Sequence, residues 1–187
     1  MKSLSLTKPH MIVMVGIPGS GKSFFAEKFS STFHAPYINY QKVSSLTQDN
    51  VGEICFYLLE ELLKTQQTIV FDGLADTRAE RVELAKRARD AGYEPLFIWT
   101  QTDVATAKAR AVSPKKGLSS DEYDQLHRRF TPPTAAEKPL VISGKHTYAT
   151  QARVVLKKIS SPRAEISTHH TAPVREQPTG RRNITIR

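Results

Sequence analysis

Between residues 11 and 24 an apolar run breaks into a glycine-rich turn, and few short stretches restrict a fold as tightly. Met11-Ile-Val-Met-Val15 is unbroken apolar sequence ending at Gly16, the pattern of a strand buried on both faces in a parallel sheet. Gly16-Ile-Pro-Gly-Ser-Gly-Lys-Ser23 then fits G-x-x-x-x-G-K-[ST] at every fixed position. Behind it, Phe25, Phe29 and Phe33 recur at the helical spacing of four. Strand, glycine turn and helix form the context in which this spacing has a mechanism. Glycines let the backbone turn its N–H groups around a phosphate, and the helix N-terminus adds its dipole. The phosphate-binding set is therefore Gly16, Ile17, Pro18, Gly19, Ser20, Gly21, Lys22, Ser23 and Phe24. Lys22 is the group to reach the β and γ oxygens of ATP, and Ser23 the hydroxyl to hold Mg²⁺.

Downstream, apolar runs and helical periods alternate. Residues 37–40 read as a short strand and 51–65 as a helix with Ile54, Leu58, Leu59, Leu62 and Leu63 inward. Residues 68–72 read as a second buried strand ending in Asp72. A helix over 77–90 places Val82, Ala85, Ala88 and Ala91 on its buried stripe and stops at Gly92. Residues 95–99 give a third strand, and Asp103 caps a short helix reaching about residue 112. Strands separated by helices predict a parallel, doubly wound sheet. Residues 113–117 form a basic turn, and a helix opened by Ser119 or Ser120 runs to 130, where Thr131-Pro-Pro-Thr134 stops it. A helix between two breakers has the pattern of a mobile lid, about residues 111–134. Strand 140–142 and helix 149–159, with Val154, Val155 and Ile159 inward, close a single domain over residues 1–160. Residues 161–187, without a sustained apolar period, read as a disordered basic tail.

Asp72 ends an apolar strand one unit beyond the glycine loop, where such folds orient Mg²⁺ and where the carboxylate serves catalysis; the alternative is a plain turn cap before Gly73. Arginines that close over a transferring phosphoryl group stabilise its charge. Arg110, Arg128 and Arg129 flank the lid and are candidates for that role, against a second reading as a solvated basic face. Arg78 and Arg81, behind Asp72, face either substrate phosphate or water.

The chain has 187 residues, 39% hydrophobic and 24% charged, within the globular range. No apolar run spans a bilayer, and the expectation is a soluble cytoplasmic protein without membrane contact. The single cysteine, Cys55, cannot pair within the chain and is most simply core. His169-His170 has no further ligand nearby and is not a metal site. Net charge is +9, of which residues 161–187 carry +3, so polyanions are the favoured partners and the tail offers weak, salt-sensitive nucleic-acid binding.

Gly16 to Ser23, Val70-Phe-Asp72 followed by Arg78 and Arg81, Ala107-Lys-Ala-Arg110, and Phe130-Thr-Pro-Pro133 together resemble the P-loop kinases of the nucleoside-monophosphate-kinase-like fold. The resemblance is to the branch of polynucleotide 5′-hydroxyl kinases and AAA_33-type ATP-binding proteins, and it covers about residues 11–160. It implies a three-layer α/β fold with a five-stranded parallel sheet, ATP with Mg²⁺, and transfer of the γ-phosphate to a hydroxyl of a small molecule or nucleic acid. In these kinases the strand after the first helix ends in an Asp that takes the hydroxyl proton; here that place holds Gln41 or Lys42, with Asp72 or Asp49 as substitutes. The competing expectation is a nucleotide-gated ATP-binding or ATPase module without kinase activity that docks nucleic acid or a partner. Neither the acceptor nor the oligomeric state is encoded in a motif.

Overall fold

A computed structural model describes residues 8–47, 49–112 and 118–160. The basic turn at 113–117 and the tail expected from residue 161, with His169-His170, lie outside the described residues. The elements run β1 (His10–Val15), α1 (Lys22–Phe33), β2 (Tyr37–Asn39), α2 (Tyr40–Leu46), α3 (Val51–Leu63), β3 (Ile69–Asp72), α4 (Arg78–Asp90), β4 (Glu94–Gln101), α5 (Val104–Ala111), α6 (Ser120–Arg129), a 3₁₀ turn (Ala135–Glu137), β5 (Leu140–Ser143) and α7 (Tyr148–Ile159).

The five strands form one parallel sheet in the order β2-β3-β1-β4-β5. Because β1 is central and covered on both faces, Met11, Ile12 and Val13 are wholly buried, as a continuous apolar run requires. Alternate residues of β1 feed two cores. Met11, Val13 and Val15 meet Cys55 and Leu59 of α3 and Leu84 of α4 on one face. Ile12 and Met14 meet Phe25 and Phe29 of α1 and Val155 of α7 on the other. The Phe25 and Phe29 rings lie 5.5 Å apart and Phe29 and Phe33 4.7 Å apart, so the expected aromatic stripe is the inner face of α1. Cys55 is buried core, and burial pushes its thiol pKa up.

Parallel pairing aligns the C-terminal ends of the strands, where ligands bind in open α/β sheets. Met14 lies opposite Asp72, and Asp72 opposite Asn39. The edge thus presents β2, β3, the glycine loop and β4 in one line.

Several inward assignments are corrected. Leu58 is 39% exposed and Val82 56%, because α3 buries Val51, Cys55, Leu59 and Leu63 and α4 buries Arg81, Leu84, Ala85 and Ala88. The α4 stripe is turned by about one residue because a charged side chain, Arg81, occupies an inner position. Val154 is 40% exposed, while its neighbour Val155 is buried. Tyr40, expected to end the strand over 37–40, instead begins α2, which is capped by the Asn39 side chain accepting from Lys42 N–H at 2.8 Å. Of the two residues expected to open α6, Ser119 is the cap and forms a full capping box with Glu122, and α4 opens on a second one, Thr77 with Glu80, each contributing about 1 kcal/mol.

Candidate functional site

The turn after β1 folds as its glycines allow. Gly16, Gly19 and Gly21 all take positive φ. At Gly19 a Cβ would sit 2.1 Å from the Ala107 carbonyl oxygen of α5, so α5 lies against the loop at a distance only glycine tolerates. The loop is also tied to the end of β4, where Thr102 Oγ1 donates to Ser20 C=O at 3.1 Å. Ser20 Oγ is buried without a hydrogen-bond partner among the described residues. Ile17 is buried, Ser23 half-buried at the first turn of α1, and Phe24 points outward beneath the Lys28 ammonium.

Lys22 folds back over this turn. Its Nζ donates to Gly16 C=O at 2.5 Å and to Ile17 C=O at 3.0 Å, using two of its three donors. Burial lowers its pKa, and the Asp72 and Asp76 carboxylates oppose that shift. The ammonium therefore sits in a desolvated place between the loop and two acids. Glycines a Cβ would obstruct, a buried unpartnered hydroxyl and an ammonium at the helix N-terminus are a donor set fitted to a polyphosphate.

Asp72, buried at the end of β3, is fixed from β2. Its Oδ2 accepts from Asn39 Nδ2 at 2.9 Å and from the Tyr37 hydroxyl at 3.2 Å. Burial, with the neighbouring Asp72 carboxylate, pushes the Tyr37 phenol above its ordinary pKa, which keeps it a donor. The other carboxylate oxygen carries no hydrogen bond among the described residues. With the Ser23 hydroxyl, it is a hard oxygen donor of the type a small divalent cation takes. No cluster of three His, Cys, Asp or Glu forms among the described residues.

Asp76, which sequence reasoning missed, joins this group. It is half-buried, in the loop between β3 and α4. Burial raises its carboxyl pKa; Lys22 and Arg129 pull it down, and Glu80 and Asp72 push it up. Its backbone is pinned, since the C=O accepts from Thr131 N–H at 2.8 Å and from Arg81 at 3.3 Å. The available signal was its place four residues after Asp72 and just before the Thr77 cap.

The arginines divide. Arg81 faces neither phosphate nor water: it is 1% exposed, its Nε donates to Glu137 at 2.6 Å, and its Nη1 donates to the carbonyls of Ala75, Asp76 and Thr131. Arg129 pairs with Glu80 of the α4 capping box. Arg110 is exposed and donates to Gly144 C=O at 3.3 Å, after β5. Arg128 and Arg78 are exposed. Gln41 and Lys42 are exposed on α2, with Lys42 paired to Glu27 at 2.9 Å, and Asp49 is exposed before α3. On the other flank of the loop, a cavity of about 540 Å³ opens between Ile17, the end of β4 and α6.

The family model for an AAA domain, AAA_33, matches residues 11–133. The chain belongs to the AAA_33 family. A gluconokinase from Sinorhizobium meliloti 1021 is similar in structure, with 17% identity and a TM-score of 0.62 over 81% of this chain and 91% of that one. Kti12 from Chaetomium thermophilum, in complex with ADP-AlF3, is 16% identical, with a TM-score of 0.64 over 81% of this chain and 100% of that one. A sugar kinase from Janibacter sp. HTCC2649 is 14% identical, with a TM-score of 0.59 over 82% and 96%. No curated protein matches the chain. At these identities the likeness is one of fold: the AAA_33 chain has a P-loop kinase-like fold with a five-stranded parallel sheet. No helix among the described residues is long and apolar enough to cross a membrane.

Proposed function

We propose that this AAA_33 protein is an ATP-dependent phosphotransferase that moves the γ-phosphoryl group of ATP to a hydroxyl of a small molecule or a nucleic-acid end. The observation carrying the reading is the convergence of Lys22, Asp72 and Asp76 at one end of the sheet, with Lys22 held over the glycine turn. The gluconokinase and the sugar kinase of similar fold support transfer to a hydroxyl, and the ADP-AlF3 bound by Kti12 supports nucleotide use. Backbone N–H groups of Gly19 to Ser23 bind the β-phosphate region, and Lys22 bridges to the γ oxygens. Ser23 and Asp72 hold Mg²⁺, which when bound screens phosphate charge and orients the chain of phosphates. Arg110 and Arg128 supply positive charge from the α5–α6 side as the phosphoryl group transfers.

The acceptor proton needs a carboxylate, and Gln41 and Lys42 are not one. Asp72 has one oxygen committed to Asn39 and Tyr37, and Asp49 stands out in solvent. Asp76 takes the role: its raised pKa and pinned backbone suit a positioned proton acceptor beside Lys22. Because phosphoryl transfer rests mainly on positioning and charge neutralisation, a base shifted from β2 to the β3–α4 loop is chemically sufficient.

A nucleotide-gated module without transfer, docking nucleic acid or a partner, is favoured by a single observation, the absence of a carboxylate at the end of β2. Incubation with γ-labelled ATP and Mg²⁺, alone and with pooled nucleosides, sugars and 5′-hydroxyl oligonucleotides, separates the two. Label on an acceptor, lost in Lys22→Ala, upholds the phosphotransferase. Label released only as phosphate, or retained on ATP despite measurable binding, upholds the gated module.

A further inference from the structure

Asp72 is reached from β2 by two side chains on one face of that strand. Tyr37 and Asn39 stand two residues apart, so they point to the same side of the sheet, and Asn39 is the register partner of Asp72. Asn39 Nδ2 donates to Asp72 Oδ2 at 2.9 Å and to the Tyr37 hydroxyl oxygen at 2.7 Å. That hydroxyl, already accepting one bond, turns its own proton to Asp72 Oδ2 at 3.2 Å. Asn39 and Asp72 are 7% and 5% exposed, which keeps bulk water from substituting for either donor.

The direction of the Asn39 amide is settled by the backbone. Its Oδ1 caps α2 by accepting from Lys42 N–H at 2.8 Å, and an amide carries oxygen on one branch and nitrogen on the other. With the oxygen turned to the helix, the nitrogen must face Asp72; reversing the amide would set oxygen against carboxylate oxygen and nitrogen against an N–H. The chain beyond Asp72 is held as closely. Gly73 has φ +145°, and a Cβ there would lie 2.4 Å from Tyr40 Cβ, so the first residue of α2 packs on the residue that follows the carboxylate. Capping accounts for Asn39 Oδ1 and leaves the nitrogen unexplained. Ser and Asp cap helices as well as Asn does, and neither carries the amide donor.

We infer that Asn39 and Tyr37 are positioning residues for Asp72: by engaging Oδ2 they fix the carboxylate rotamer, so that Oδ1 alone is offered to Mg²⁺ at the nucleotide. The inference rests on the reading of Asp72 as a Mg²⁺ residue. Hydrogen bonds that orient a ligating carboxylate raise its affinity for the ion. They also leave Asp72 no second oxygen for an acceptor proton, in keeping with that task falling to Asp76.

Mn²⁺, which takes the same octahedral oxygen sites as Mg²⁺, reads the arrangement without turnover. It is titrated into the full-length protein held in excess over a non-hydrolysable ATP analogue, and the free ion is followed by its EPR signal; affinity for the analogue is measured in EDTA. Asn39→Ser keeps a capping oxygen for α2 and deletes the amide donor, while Tyr37→Phe deletes one hydroxyl and keeps the ring. The expected result is Mn²⁺ binding weakened about tenfold in Asn39→Ser and about two- to tenfold in Tyr37→Phe, with analogue affinity in EDTA unchanged. In Asp72→Ala, which weakens Mn²⁺ binding by itself, adding Asn39→Ser should weaken it no further, because the amide acts through that carboxylate. Wild-type Mn²⁺ affinity in both single variants overturns the inference and leaves Asn39 a cap, even where the melting temperature falls. So does a full additional loss in the double variant, or Mn²⁺ binding that Asp72→Ala does not weaken. Should Asn39→Ser fail to fold, Tyr37→Phe decides by the same measure. Label transfer from γ-labelled ATP is followed in parallel. Weakened Mn²⁺ binding in the variants of a protein that labels no acceptor upholds the positioning role and overturns the phosphotransferase; transfer with Mn²⁺ affinity unmoved does the reverse.

Discussion

Asp76 carries the sharpest consequence at the scale of a single residue, because its proposed chemistry and its cost to folding pull apart. Its carboxyl is raised above the ordinary value of 3.8, chiefly by burial, so ionising it costs the folded chain more than the unfolded one. The stability this group contributes is present in acid and lost as pH rises through the displaced value. Asp76→Asn should therefore raise the melting temperature at neutral pH, with the gain closing below about pH 4, while turnover falls about a hundredfold or more. Differential scanning at several pH values together with label transfer reads both; a turnover unchanged from wild type rejects the base assignment. Asp72 differs in kind, since Asn39 and Tyr37 hold one of its oxygens. Asp72→Asn should abolish turnover and keep ATP affinity, measured by displacement of a fluorescent nucleotide, and retained turnover would dismiss its proposed Mg²⁺ role.

At the scale of elements, the start of α4 is the junction on which the site depends. Arg81 gathers the β3–α4 loop, Thr131 after α6, and Glu137 of the 3₁₀ turn around one buried guanidinium, while Arg129 at the end of α6 pairs with Glu80 of the capping box. The segment after the proposed lid is thus fastened to the loop that carries Asp76. Removing the charge of Glu137 leaves a buried guanidinium uncompensated, and Glu137→Gln should cost about 3 kcal/mol by urea denaturation. Burial pushes the Glu137 carboxyl up, but the hydrogen bonds from Arg81 and the Thr134 backbone outweigh it and hold it below 4.5. Its contribution is hence present above that ordinary value and lost as pH falls through the depressed one. The gap between wild type and variant should close in acid, and a gap independent of pH would dismiss the ion pair as its source.

At the scale of the molecule, both cores are closed, among the described residues, by residues no later than Ile159. A chain ending at residue 160 should keep its melting temperature and its nucleotide affinity, and should lose oligonucleotide affinity only at low salt, since the removed segment carries +3. A cooperative transition lost on truncation would place part of the fold beyond residue 160. The features legible before folding follow from rules that act over a few residues. The apolar run at Met11 to Val15, the G-x-x-x-x-G-K-S spacing, the aromatic stripe of α1 and the alternation of strands with helices are local patterns, and each names its own structure. Asp72 was legible for the same reason, as the polar end of an apolar strand. Arg81 was not, because its partners Thr131 and Glu137 lie 50 and 56 residues away, and a guanidinium reads as surface until those acceptors are placed around it. Val82 and Leu58 failed with it: a helix period fixes a stripe, but only packing against the sheet selects its phase. Asn39, Tyr37, Asp76 and the cavity at Trp99 came only from the packed fold, since parallel pairing brings the ends of β2, β3, β1 and β4 to one edge from positions scattered between Val15 and Gln101.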